Sequence, residues 1–166
     1  MKKITLLIIT ICLSSLLFSQ TVKIGYINSL ELVSLMPETK AADDQLMVLA
    51  QQLDAQYKEY IIEYQKQATI LQNDTTLSQI AYEAKVQDLQ SLEKRIQDYE
   101  KSSQDKVNQK KTELYQPVLD KATQAVKDVA KENGYTHVLD SSTGAIVYAP
   151  DGDNILELVK KKLNIQ

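Results

Sequence analysis

The 79 residues from Glu38 to Gln116, ETKAADDQLMVLAQQLDAQYKEYIIEYQKQATILQNDTTLSQIAYEAKVQDLQSLEKRIQDYEKSSQDKVNQKKTELYQ, contain neither glycine nor proline. All four glycines of the 166-residue chain, Gly25, Gly134, Gly144 and Gly152, lie outside this stretch. A segment of that length without a helix breaker, rich in Leu, Gln, Glu, Lys and Ala, is biased to helix. Its one internal interruption is Asn73-Asp74-Thr75-Thr76-Leu77-Ser78, whose side chains compete for backbone hydrogen bonds. Thr76 followed three residues later by Gln79 fits a capping box, so one helix should end near Asn73 and another start near Leu77. The stretch is therefore expected to be a helical hairpin with arms of roughly 50–60 Å at 1.5 Å per residue.

Apolar spacing shows how the arms should meet. In the first arm Leu46, Ala50, Leu53, Tyr57, Ile61, Tyr64, Ala68 and Leu71 follow a 4-3-4 pattern repeating every eleven residues, which favours a nearly straight pair. In the second arm Tyr82, Leu89 and Ile96 are seven apart and Leu92 and Tyr99 are offset by three, the a/d spacing of a coiled coil. Most of these residues are accounted for as a seam between two antiparallel helices. Leu49, Tyr60 and Val86 lie beside it, which widens the apolar stripe beyond a two-helix contact and leaves part of it for holding something. The charges read as solvated faces laced with pairs such as Asp54–Lys58.

Outward from the arms, the chain changes character. Lys2 and Lys3 precede an apolar run from Ile4 to Phe18, too short to span a bilayer comfortably, followed by Ser19; residues 1–19 are expected to be a cleaved export signal. The only cysteine, Cys12, falls inside it, and Ile11 is a poor match to a lipoprotein signal. Taking Lys2 and Lys3 off the whole-chain charge of −3 leaves −5, and no basic stripe exists, so nucleic acid is not an expected partner.

Short β-type runs at 22–27, 136–140 and 145–149 flank the arms, the last two joined by Ser141-Ser142-Thr143-Gly144 as a hairpin turn. Pro117 should bend the returning helix where it meets the body, and Asn133-Gly134 should end it. After Pro150, Asp151 or Asp153 is expected to cap a final amphipathic helix through Ile155, Leu156, Val159 and Leu163. Residues 20–36 and 117–166 thus form a body and 37–116 an arm with its tip near 73–78. Three short strands offer little apolar area, so the body is expected to self-associate.

Catalytic chemistry has little to stand on. His137 is the only histidine, with no cysteine beyond the export signal to join it, and is read as structural. Asp151, Asp153 and Asn154 lack the spacing and later glutamate of a calcium loop. No metal, cofactor or enzymatic activity is expected.

The export signal, Lys23-Ile24-Gly25-Tyr26-Ile27-Asn28, the helical hairpin, Tyr135 to Asp140 (YTHVLD), Ala145 to Tyr148 and a closing helix from Asp153-Asn154-Ile155-Leu156 together resemble the Skp (OmpH) family of periplasmic chaperones. The resemblance spans essentially the whole chain after the signal. It implies a homotrimer whose short strands form a central β-barrel, with Ile24, Tyr26, Val138, Ile146 and Tyr148 in that body. It implies further that three arms enclose a cavity where unfolded outer-membrane β-barrel proteins are held without ATP. The arm residues Leu46, Leu49, Leu53, Tyr57, Tyr60, Ile61, Tyr64, Leu71, Tyr82, Val86, Leu89, Leu92, Ile96 and Tyr99 would then contact client. Peripheral membrane association goes with the basic charge of the best-known members, whereas this chain is acidic; its contacts should lean on Tyr57, Tyr60, Tyr64, Tyr82 and Tyr99, whose large apolar faces and polar tips suit weak contact with many sequences. The alternative is a structural envelope protein, an adaptor whose coiled-coil arm binds one fixed partner.

Overall fold

A computed structural model describes residues 22–165, so the expected export signal lies outside the described residues. The chain runs β1 (Ile24–Ile27), α1 (Ser29–Leu35), α2 (Pro37–Asn73), α3 (Gln79–Glu132), β2 (His137–Asp140), a 3-10 turn (Asp151–Asp153) and α4 (Leu156–Leu163). α2 and α3 are the antiparallel hairpin, and at 37 residues α2 extends about 55 Å. α3 has 54 residues and continues through Pro117, so its last four turns belong to the body.

The helix ends follow local chemistry. Pro37 opens α2 at a position where its missing N–H costs nothing. α2 ends at Asn73 as expected, but the cap of α3 is a correction: Ser78 Oγ accepts from Ala81 N–H, while the Thr76 hydroxyl and N–H both donate to Asp74 Oδ1. Thr76 is thus committed to closing the loop. At the far end Gly134 adopts φ +70°, Tyr135 N–H bonds to Ala130 O and Gly134 N–H to Lys131 O, the paired bonds of a Schellman stop.

The body core is not built from the strands alone. Val118, Ala122, Ala125 and Val129 of α3 pack with Ile27, Leu32, Met36, Ile155, Leu156 and Val159, so the returning arm supplies one wall of a single-chain core. Leu32 and Met36 enter through α1, a helix the sequence reading missed. Its signal was present: Asn28 accepts from Glu31 N–H, the spacing of an N-cap and its third residue.

The sheet departs from expectation. β1 and β2 pair in parallel, Ile24 opposite His137 through Ile27 opposite Asp140. Residues 145–149 are irregular, so the expected hairpin of 136–140 with 145–149 does not form in this chain. β2 pairs instead with β1 along one edge, where Thr136 N–H bonds to Lys23 O and Ser141 N–H to Ile27 O, and the turn at Ser141–Gly144 leads away from the sheet without a returning strand. On its other side β1 meets the chain before α4, where Ile155 N–H bonds to Tyr26 O. In β1 the residues facing the core are Gly25 and Ile27, whereas Ile24 is exposed and Tyr26 half-buried. α4 carries the expected Ile155, Leu156, Val159 and Leu163 toward the core, but Asn154, not either aspartate, accepts from Leu156 N–H; Asp151 and Asp153 form the preceding turn.

Candidate functional site

The described surface offers an arm and a body groove. Along the arm, Leu46, Leu49, Leu53, Tyr57, Tyr60, Ile61, Tyr64, Leu71, Val86, Leu89, Leu92 and Tyr99 are all half-buried, Ile96 is buried, and only Tyr82 is exposed. The structure therefore gathers the sequence candidates into the seam. The tyrosines form specific contacts there. Tyr60 and Tyr99 meet edge to face at 5.1 Å between centroids, Tyr99 Oη donates to Leu53 O at 3.3 Å, and the Arg95 guanidinium lies 4.5 Å above the Tyr60 ring. Toward the base, Ala50 and Ser103 are small, and an open groove of about 330 Å³ runs past them between Tyr57 and Val107. Ser103 Oγ is buried there with no hydrogen-bond partner.

Large exposed apolar residues lie elsewhere on the hairpin. They are Met47, Val48, Ile62 and Ile70 on α2 and Ile80 beside Tyr82 at the start of α3. From Glu83 to Val118, by contrast, α3 exposes no large apolar residue. Sequence reasoning missed the α2 set because the seam pattern explained the helix already. A signal existed in the seven-residue line Ala41, Val48, Ala55, Ile62, offset from the seam.

The base of the arm is fastened by polar contacts. The Lys121 ammonium pairs with Glu38 and, first through that hydrogen bond, lowers its pKa. Tyr115 donates to Asp43, and the carboxylate beside it raises the phenol's pKa. Lys58 and Asp54 form the expected pair at 2.6 Å on the surface, where such a pair adds little.

In the body, an open, mainly apolar groove of about 400 Å³ lies between α1, α3 and β2, with Val33, Val126 and Tyr135 in its lining. Leu119 and Leu139 line it while remaining 43% and 47% exposed. Of the expected body residues, Val138 packs against the core, Ile146 is half-buried and Tyr148 is 85% exposed, beside Val147 at 98%. One end of β2 is clamped: Asp140 accepts from the Ser29 hydroxyl at 2.6 Å, Ser29 N–H at 3.2 Å and Ser142 N–H at 2.9 Å. Desolvation pushes its pKa up, yet these bonds outweigh it and hold the carboxyl at about 2. His137 is exposed, with Nδ1 3.1 Å from Thr136 Oγ1. Among the described residues no helix is long and apolar enough to cross a membrane.

The described residues thus form a long two-helix arm set on a small mixed body, with candidate surfaces that are open rather than enclosed. The chain belongs to the family described as outer membrane protein (OmpH-like), whose profile matches residues 23–163. Membership supports a chaperone role, and the family is in general non-enzymatic. A crystal structure from Caulobacter crescentus CB15, provisionally described as an OmpH-like outer membrane chaperone, has the same fold at a TM-score of 0.74 and 21% identity, over 86% of this chain and 83% of that one. Comparison with curated proteins gives no match.

Proposed function

We propose that the chain is an ATP-independent periplasmic holdase that keeps unfolded outer-membrane β-barrel proteins from aggregating, in a cavity between the arms of a homotrimer. The observation that carries the reading is the arm itself. Between Leu46 and Leu114 only Ile96 is buried, so about 42 Å of hairpin, measured along α2 from Leu46 to Asn73, projects with half-buried and exposed apolar surface and no core of its own. A surface of that kind suits weak contact with many chains better than a fixed fit.

Trimerisation is supported by what the body leaves open. Among the described residues β1 is paired on both sides, but β2 has β1 on one side only, and the irregular segment 145–149 displays Val147 and Tyr148 to solvent. A free edge and an exposed β-type segment in the same chain complete each other between copies. The barrel would then use Ile24, Tyr26, Val138, Ile146 and Tyr148. Periplasmic residence follows from family membership together with the export signal read in residues 1–19. The acidic net charge gives anionic lipid little attraction, so membrane association forms no part of the proposal.

The test dilutes a urea-denatured outer-membrane β-barrel protein into buffer with and without the mature chain, follows light scattering, and measures chaperone mass by size exclusion with multi-angle scattering. Suppression near one trimer per client without ATP is the expected result. A well-folded trimer that leaves aggregation unchanged would refute the holdase reading and favour the adaptor.

A further inference from the structure

The two arms differ on the faces turned away from their seam. At about 100° per residue, Met47, Val48, Ile62 and Ile70 fall within an arc of about 140° on α2, roughly opposite Leu46, Leu53, Tyr57 and Tyr64. They are 55%, 49%, 63% and 39% exposed. From Gln87 to Asp105 the corresponding face of α3 carries Gln87, Lys94, Asp98, Lys101 and Asp105, all exposed and all polar, with Ile80 at its tip end as the one large apolar residue. Water alone would select polar residues on both faces, as it has on α3 beyond Ile80.

Resting on the holdase reading above, we infer that the outer face of α2, rather than the tyrosine seam, is the surface on which client is held, and that its occupant is an extended chain of alternating apolar and polar residues. The spacing does not match that of a docked helix. A helix docking along α2 would need an apolar residue every three or four positions, and a stable interface buries about 800 Å² per partner, which four separated side chains cannot supply. Val48 to Ile62 is about 21 Å along the helix and Ile62 to Ile70 about 12 Å. An extended chain presents same-face side chains every ~7 Å, so these gaps are about three and two of its repeats. Strands of membrane β-barrels have that two-residue alternation. The polar residues between the contacts, such as Gln51, Lys58 and Gln65, leave each site separate and weak, so a client can release one at a time.

The seam tyrosines are unsuited to the same task. Tyr60 and Tyr99 are spent on each other, on Arg95 and on the Leu53 carbonyl, and exposing them would open the hairpin.

The experiment compares two variants of the mature chain in the aggregation assay, with a urea-denatured eight-stranded outer-membrane β-barrel protein as client. One carries Met47→Gln, Val48→Gln, Ile62→Gln and Ile70→Gln; the other carries Gln87→Ala, Lys94→Ala, Asp98→Ala and Asp105→Ala. The first is expected to lose about tenfold in apparent client affinity at unchanged helical content, and the second less than about twofold. As a second readout, Ile62→Cys and Lys94→Cys are each labelled with a polarity-sensitive dye, residues 20–166 having no cysteine of their own. Client addition should blue-shift the label at 62 and not at 94. Full suppression by the α2 variant, or equal shifts at both labels, overturns the inference and leaves the holdase reading standing. Failure of the unsubstituted chain to suppress aggregation overturns both.

Discussion

The body and the arm are built to different standards of packing. Leu32, Met36, Ile155 and Val159 are below 2% exposed in the body, whereas beyond Ala42 the hairpin has one buried residue, Ile96, until α3 re-enters the body at Val118. Stability is therefore concentrated at one end of the molecule. The body can hold a fixed shape while the arm, a two-helix ribbon, deforms at small cost. That division suits a protein that must keep its own structure while contacting chains that have none.

Substitutions can break this comparison. The largest effect should come from Leu32→Ala, which empties a fully enclosed site and should cost about 3 kcal/mol in denaturant titrations followed by circular dichroism. Leu89→Ala, in the half-buried seam, should cost about 1 kcal/mol by the same measurement. Equal losses would show that the arm is as tightly packed as the body. Gly25→Ala sharpens the picture from the other direction: the added Cβ would stand 3.0 Å from Ile155 Cγ2 and from the Tyr135 ring, and overpacking there should cost about 1–2 kcal/mol. A neutral result would mean that the sheet and α4 are not closely apposed.

Smaller effects are expected where single polar contacts act. Ser78→Ala removes the cap of α3 and should cost about 1 kcal/mol, read as faster amide exchange confined to residues near 79–82. Asp140→Asn weakens the clamp on β2 by about 1 kcal/mol at neutral pH. Because the folded carboxyl titrates at about 2, below its unfolded value near 4, its contribution is present above pH ~4 and fades as pH falls toward 2. The variant should therefore lose part of the acid-side slope of stability against pH; an unchanged slope would place the acid sensitivity elsewhere.

The arm was legible in the sequence because its signals are local and repeated. The absence of breakers, the 4-3-4 spacing and Asn133-Gly134 each act over a few residues, and tertiary structure did not overrule them. The body was less so. β1 and β2 are four residues each and more than a hundred residues apart, and no local pattern announces a parallel pairing at that distance. The turn residues Ser141 to Gly144 pointed to a hairpin with 145–149, but a turn signal does not reveal that the preceding strand has another partner. Alternation in Ile24-Gly25-Tyr26-Ile27 showed two faces without showing which of them meets the core of its own chain. On the arm, periodicity located the seam and drew attention away from the opposite face of α2, whose sparse apolar residues are visible only once exposure is known.

Hydrogen exchange measured by mass spectrometry on the mature chain, with and without a denatured outer-membrane β-barrel protein, tests the central claim most directly. The account predicts that client slows exchange along residues 44–72 of α2 and leaves the body core at 118–130 and 155–163 unchanged. Protection confined to the body groove around Leu119 and Leu139, with the arm unaffected, would contradict it.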